Sequence, residues 1–177
     1  MKIDDKITKL ATKIKLIIFD VDGVLTDGGL YFAADGSELK RFNSLDGQGI
    51  KMLQASGIAA AVISARNSKS VDYRMKNLGI EHFYQGQNDK LIAFAELLKK
   101  LNISADEVAY MGDDVIDLPV MQKVGFAVAV ANSHDLVKQN SDFITNKNGG
   151  HGAVREAIDF ILKAQNKFDA AVKIYLS

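Results

Sequence analysis

The chain of 177 residues has no cysteine and no tryptophan, a single proline, and no net charge, with Lys plus Arg and Asp plus Glu each numbering 22. The missing cysteine excludes disulfides and thiolate chemistry. The balanced charge gives no reason to expect nucleic acid or an anionic membrane as partner, so any anion site must be local. No apolar run is long enough to cross a bilayer, and none near the start resembles a signal peptide, which sets the expectation of a cytoplasmic protein. With one proline and no low-complexity tract there is no evident interdomain linker. What is present, 47% apolar and 25% charged residues, suits a globular domain with a substantial core. One domain over residues 1–177 is the expectation.

The stretch that organises the rest is Leu16 to Gly28, LIIFDVDGVLTDG. Four apolar residues run straight into Asp20, with Asp22 and Gly23 close behind, so a buried strand is expected to end in two carboxylates and a turn. Before it, Lys2 to Lys13 carries Ile3, Ile7 and Leu10 at helix-like spacing. After it, Leu30–Ala33 and Glu38–Phe42 around Ala34-Asp35-Gly36-Ser37 predict a β-hairpin flap over about 28–42, with Leu30, Tyr31 and Phe32 giving it unusual apolar surface. Asp46 is expected to cap a helix over Gly47–Ser56, followed by a strand Ile58–Ile63 ending at Ser64. Then come helix Ser68–Leu78, strand His82–Tyr84, and helix Asp89–Leu101, where Leu91, Phe94, Ala95 and Leu98 follow i, i+3, i+4, i+7. Ser104 and Glu107 fit a capping box before strand Val108–Met111, which runs into Gly112, Asp113 and Asp114. Helix Val115–Lys123, strand Phe126–Val130, a helix from about His134, strand Phe143–Ile144, a helix from about Ala153 and a tail over about 165–177 complete the chain.

This alternation predicts an α/β fold: a Rossmann-like, doubly wound parallel sheet with ligands beyond the carboxyl ends of its strands. Asp20, Ser64 and Asp113 each follow a predicted strand, so the topology alone brings them to one edge. Singly, each has a plain structural reading. Asp-x-Asp-Gly suits turns, Ser64 could cap a helix, Lys90 could be a solvated charge, and Asp113, Asp114 and Asp117 could complement a helix dipole. Together and in this order they carry a resemblance: FDVDGVLTDG, Ser64, Lys90 and GDDVID are similar to the four motifs of the haloacid dehalogenase-like phosphohydrolases.

The resemblance implies a set of roles. Asp20 would attack phosphorus, Asp22 would act as acid and base, and Mg²⁺ would be held by Asp20, Asp113 and the main-chain carbonyl of Asp22. Ser64 and Lys90 would bind the phosphate, with Asp114 and Asp117 behind the metal or orienting Lys90. An Asp at position 22 fits a phosphatase or mutase, and the absence of a long insert fits the branch without a cap domain. That branch resembles phosphatases of sugar acids, with 3-deoxy-D-manno-octulosonate 8-phosphate as the implied substrate and a nonulosonate 9-phosphate as alternative. Substrate contacts would fall on Asn43, Ser44, Leu45, Asp46, Gly47, Lys51, Arg66 and Arg74. Capless relatives assemble as tetramers through their hairpins, and Gly149–Glu156 resembles a glycine-rich tail segment that closes over a neighbouring site. Two departures stand out: Leu45 replaces the usual loop Arg, and Ala65 the usual Gly. A non-enzymatic alternative is a phospho-receiver signalling domain, which also combines a phosphorylated Asp, Mg²⁺, a hydroxyl and a Lys.

Overall fold

The computed structural model describes residues 5–176. A central sheet of six strands, all parallel, has the order β5-β4-β1-β6-β7-β8. Its strands are β1 (Leu16–Phe19), β4 (Ala59–Ile63), β5 (His82–Tyr84), β6 (Val108–Gly112), β7 (Phe126–Ala129) and β8 (Phe143–Ile144). Both faces are covered, which is why the strand sequences read as continuous apolar runs rather than as alternation. Ile17, Phe19, Ala60, Val62, Ala109 and Met111 enter one core layer, and Leu16, Ile18, Ala61, Ile63, Val108 and Tyr110 the other.

The first layer is closed by α1 (Asp5–Ala11), α2 (Ser44–Ala55), α3 (Lys69–Leu78), α7 (Ala153–Ala164) and α8 (Phe168–Lys173). The second is closed by α4 (Lys90–Leu101), α5 (Leu118–Met121) and α6 (Asp135–Gln139). From β1 the chain crosses to β4 on one side and later to β6 on the other, so the sheet's switch point, where a crevice opens, lies at the end of β1. Between β1 and α2 the chain forms a hairpin, β2 (Tyr31–Phe32) and β3 (Glu38–Leu39). A bridge between Thr26 and Phe42 pins its base, while Leu30, Tyr31, Phe32 and Leu39 stand exposed.

Several expectations change in detail. Asn43, not Asp46, caps α2, its Oδ1 accepting from the backbone N–H of Leu45 at 2.8 Å. Asp46 is buried instead and accepts from the N–H groups of Gly152 and Arg155, groups more than a hundred residues away that no local pattern could anticipate. The helix expected over Val115–Lys123 is broken into a 3₁₀ turn, Val115–Asp117, and the short α5, with Pro119 in its first turn. The tail beyond Gln165 folds back as α8, and Gln48 donates to the Tyr175 hydroxyl at 2.6 Å. Of the helix expected over Lys2–Lys13, Asp5–Ala11 is observed; Lys2 and Ile3 lie outside the described residues.

Candidate active site

Asp20 leaves β1 in extended conformation, its N–H bonded to Met111 O at 3.0 Å, so the sheet ladder continues one step into the site. The chain then coils tightly over Val21–Leu25, with a kink at Asp22 and Gly23. Gly23 has φ of 90° and lies so close to Asp113 that a methyl group there would collide with the carboxylate, so only glycine fits the turn. The buried Thr26 hydroxyl pins the coil, accepting from Gly23 and Gly28 N–H groups and donating to Val21 O, each at 3.3 Å.

Asp20, Ser64, Lys90 and Asp113 line one cleft of about 280 Å³, together with Asp22 and Arg66. Lys90 opens α4 and is buried; its ammonium donates to Asp20 Oδ1 at 2.6 Å, Asp117 Oδ1 at 2.7 Å and the Tyr110 hydroxyl at 3.1 Å. Tyr110 donates in turn to Asp117 Oδ1 at 2.6 Å. The other Asp117 oxygen accepts from the N–H groups of Asp113 and Asp114 at 3.0 and 3.3 Å. Asp117 is thereby saturated and acts as a strut, holding both Lys90 and the loop that carries Asp113. Asp114, also on the cleft wall, caps the 3₁₀ turn by accepting from Val115 N–H at 2.7 Å. Ser64 closes β4, its hydroxyl accepting from Arg66 N–H at 3.3 Å.

The cleft is short of positive charge. Burial, with Asp117 next, raises the Asp20 pKa from 3.8 to about 7 despite Lys90. Burial and the repulsion of Asp20 and Asp117 lift Asp113 to about 8. Burial works against the charge on Lys90, but Asp20 and Asp117 overcome it and hold its pKa above the ordinary lysine value. Asp113 Oδ1 is buried with no hydrogen-bond partner. Asp20, Asp113 and Asp117 each place an oxygen within 4.8 Å of the others. An orphaned carboxylate oxygen among acids that cannot all ionise fits a hard, oxygen-loving cation such as Mg²⁺. With Asp117 saturated, Asp20 and Asp113 are the carboxylates left to hold it.

The Asp22 side chain points elsewhere, onto the Lys40 ammonium, with Arg66 Nε 3.6 Å from its second oxygen. Lys40, Glu38 and Tyr110 were not anticipated from the sequence. The only hint was positional: Glu38 and Lys40 share one face of a hairpin strand, and Tyr110 puts a hydroxyl inside an apolar strand.

The other sequence-derived contacts do not reach this cleft within one chain. Ser44, Gly47, Lys51 and Arg74 line a different hollow of about 130 Å³. Arg74 donates to Asn43 O at 3.2 Å and fits against Gly47, where a side chain would strike it. Leu45 is exposed. Gly149 and Gly150 are no free tail segment: both are buried against the backbone of the Asp22–Asp27 coil, with Gly150 N–H bonded to Val24 O at 2.9 Å. Arg155, just beyond, bonds Asp159 at 2.7 Å.

Comparison with known proteins bears on the family and the fold. A profile of haloacid dehalogenase-like hydrolases matches residues 82–158. The 3-deoxy-D-manno-octulosonate 8-phosphate phosphatase KdsC of Salmonella typhi is 53% identical over 161 residues, 91% of this chain and 86% of that protein. The Yersinia pestis KdsC is 48% identical over 167 residues, 94% of this chain and 89% of its own length. Among solved structures, the Moraxella catarrhalis 3-deoxy-D-manno-octulosonate 8-phosphate phosphatase, in complex with magnesium, phosphate and KDO, has a TM-score of 0.95 at 46% identity, covering 98% of this chain and 99% of that one. A probable YrbI-family phosphatase from Pseudomonas syringae gives 0.96 at 50% identity, covering 98% and 99%.

Proposed function

The chain belongs to the haloacid dehalogenase-like hydrolases, among their capless 3-deoxy-D-manno-octulosonate 8-phosphate phosphatases, and from that membership we propose how its cleft works. It is a Mg²⁺-dependent phosphatase that converts 3-deoxy-D-manno-octulosonate 8-phosphate and water to the free sugar acid and inorganic phosphate. The reading treats residues 1–177 as one domain. The observation that carries the assignment of roles is the cation-short pairing of Asp20 with Asp113 at the end of β1, beside Lys90 and Ser64.

A carboxylate oxygen of Asp20 attacks phosphorus as the bond to the sugar oxygen breaks, and Asp22 in its acid form gives that oxygen a proton. Water then attacks phosphorus in the resulting aspartyl-phosphate, passes its proton to Asp22, and frees Asp20 and phosphate. Asp20, Asp113 and the Asp22 carbonyl would hold Mg²⁺, whose charge would offset that of the phosphate, which otherwise repels Asp20. Lys90 fixes the orientation of Asp20 and, with the Ser64 hydroxyl, supplies donors to the phosphate oxygens. Asp114 and Asp117 hold the loop and Lys90 in place.

Assembly completes the site. The exposed Leu30, Tyr31, Phe32 and Leu39 form an apolar surface at the rim of an open cleft, which suits a homotetramer joined through its hairpins. In that assembly Asn43, Ser44, Leu45, Lys51 and Arg74, which do not line the cleft of their own chain, serve substrate recognition near a neighbouring site, while the buried Asp46 and Gly47 hold the loop that carries them. Light scattering that finds a monomer at micromolar concentration overturns this. No helix among the described residues is long and apolar enough to cross a membrane. A cytoplasmic enzyme of lipopolysaccharide precursor synthesis, with a small sugar-acid phosphate as partner and neither nucleic acid nor membrane, fits the balanced charge.

One observation favours a second substrate. Leu45, exposed where relatives of this kind carry Arg, removes a donor for the sugar acid, so a nonulosonate 9-phosphate is the rival. Phosphate release from both esters, with and without EDTA, tests the proposal: Mg²⁺-dependent turnover favouring the octulosonate is expected, and none from either overturns it. A long-lived phosphoprotein formed from acetyl phosphate, without turnover, would instead point to a receiver domain.

A further inference from the structure

Asp22 and Arg66, both lining the cleft, belong to a closed ring of alternating charge completed by Lys40 and Glu38. The Lys40 ammonium contacts Asp22 Oδ1 and lies 3.4 Å from Glu38 Oε1. Glu38 Oε1 accepts from Arg66 at 2.5 Å, and Arg66 Nε returns to within 3.6 Å of Asp22 Oδ2. The members come from three separate stretches: the coil after β1, the second hairpin strand with the residue that follows it, and the loop after β4.

The two cations of the ring differ in one decisive respect. The Arg66 side chain is 43% exposed, whereas that of Lys40 is 1% exposed. A buried ammonium is strongly unfavourable without anionic partners, and here the partners are Asp22 and Glu38. Lys40 therefore has one stable place, and in that place it grips one oxygen of Asp22. Asp22 lines the cleft, and its second oxygen has Arg66 Nε at 3.6 Å, too distant for a short hydrogen bond. Proton transfer to an ester oxygen requires a donor within about 3.2 Å, so the angle at which Asp22 is held sets whether transfer occurs at all.

We propose that Lys40 is a positioning residue for Asp22, and that the hairpin contributes to the chemistry through it as well as to assembly. The inference rests on the phosphatase reading given above. Phosphoryl transfer forms the bond from Asp20 to phosphorus and breaks the ester bond, and the proton leaves the oxygen of Asp22 that Lys40 does not hold. Lys40 loses no proton and touches no reacting atom.

The test compares two esters through kcat/KM, which reports the steps up to phosphoryl transfer. An octulosonate 8-phosphate leaves as an alkoxide and needs the proton; p-nitrophenyl phosphate leaves as a stable phenolate and does not. Lys40→Met is expected to lose about 10²-fold on the sugar phosphate, the scale of a displaced general acid, and to change little on the aryl phosphate. Asp22→Asn should lose activity on both esters, more on the sugar phosphate, and adding Lys40→Met to it should cause no further loss on the sugar phosphate. Lys40→Arg should recover part of the sugar-phosphate activity. Should Lys40→Met fail to fold, Lys40→Arg carries the test, since it keeps the buried charge but shifts its reach: a smaller split in the same sense supports the proposal. Equal losses on both esters, or no loss on the sugar phosphate, overturn it. A wild-type enzyme inactive on both esters would instead sink the phosphatase reading itself.

Discussion

Lys90 reaches across the end of the sheet to Asp20, its ammonium 2.6 Å from Oδ1, with the two residues seventy positions apart in sequence. The same ammonium lies 2.7 Å from Asp117, so one buried cation serves two buried carboxylates and leaves Asp113 with none. One ammonium thus faces three clustered carboxylates, and the deficit of positive charge falls at the proposed site of the divalent ion and the phosphate.

Replacing Lys90 with Met should unbalance this arrangement severely. Asp20 and Asp117 would remain buried without their ammonium, and breaking such a pair typically destabilises by about 3–5 kcal/mol. Urea denaturation should show the midpoint falling by a corresponding amount, with activity lost. The deficit should shrink at acidic pH, where the stranded carboxylates take up protons. An unchanged midpoint would mean that the pairing contributes nothing to the fold.

Asp113→Asn should separate stability from function. Burial and repulsion from Asp20 and Asp117 raise the Asp113 pKa to about 8, so the metal-free fold carries it under strain. The amide removes the repulsion and keeps the shape, and the metal-free variant should melt no lower than the wild type, or somewhat higher. Mg²⁺ should no longer raise its melting temperature, and turnover should fall by at least about a hundredfold, as for other lost metal ligands. Retained thermal stabilisation by Mg²⁺ would remove Asp113 from the metal site.

The pH dependence follows with a definite sign. Asp20 and Asp113 titrate from about 3.8 when unfolded, but in the folded, metal-free protein from about 7 and about 8. Between those values the folded state holds more protons than the unfolded one, so stability falls as pH rises. The loss is absent below the unfolded values and complete above the folded ones. On the proposed ligand set, Mg²⁺ would bind the ionised carboxylates and displace those protons, so its affinity should rise over the same range. EDTA-treated protein should therefore melt at a lower temperature at pH 8.5 than at pH 6, and added Mg²⁺ should raise melting more at pH 8.5. A melting temperature independent of pH and Mg²⁺ would contradict both directions.

How far the sequence could be read depended on the range of the forces involved. Asp20, Ser64 and Asp113 were legible because each ends an apolar run, and a parallel sheet brings such ends together without further information. Lys90 was placed by resemblance alone; a lysine at a helix start looks like any solvated charge until Asp20 and Asp117 arrive from elsewhere in the chain. Asp46 was misread as a cap for the same reason, since its partners at Gly152 and Arg155 are brought in by α7 packing on α2. Lys40 was missed because the hairpin's apolar residues drew attention to what it exposes, while its polar face turns inward onto Asp22. Local rules found the strands and the acids at their ends, and tertiary contact alone decided which charges meet.

The coil that carries Asp22 and Gly23 rests on a second piece of backbone, and that contact yields the last prediction. Gly149 lies against Gly23 O and Val24 N with no room for a Cβ, and its neighbour Gly150 bonds Val24 O at 2.9 Å. Its own N–H is fixed by Asn132 at 2.9 Å, so the Gly149 segment is held from behind and cannot simply withdraw. A methyl group at Gly149 must therefore push the coil, and backbone does not rotate aside as a side chain can. Because Gly23 also abuts Asp113, the displacement passes to the proposed metal site. Gly149→Ala should cost about 1–3 kcal/mol in denaturation, the range for overpacking, and reduce Mg²⁺ affinity and kcat by more than that destabilisation explains. Gly57→Ala is the contrast: it has open space around it and a positive φ of 78°, so it should lose some stability through backbone strain while kcat and Mg²⁺ affinity stay at wild-type values. If both variants retain wild-type kcat, the Gly149 segment is not a support for the catalytic coil.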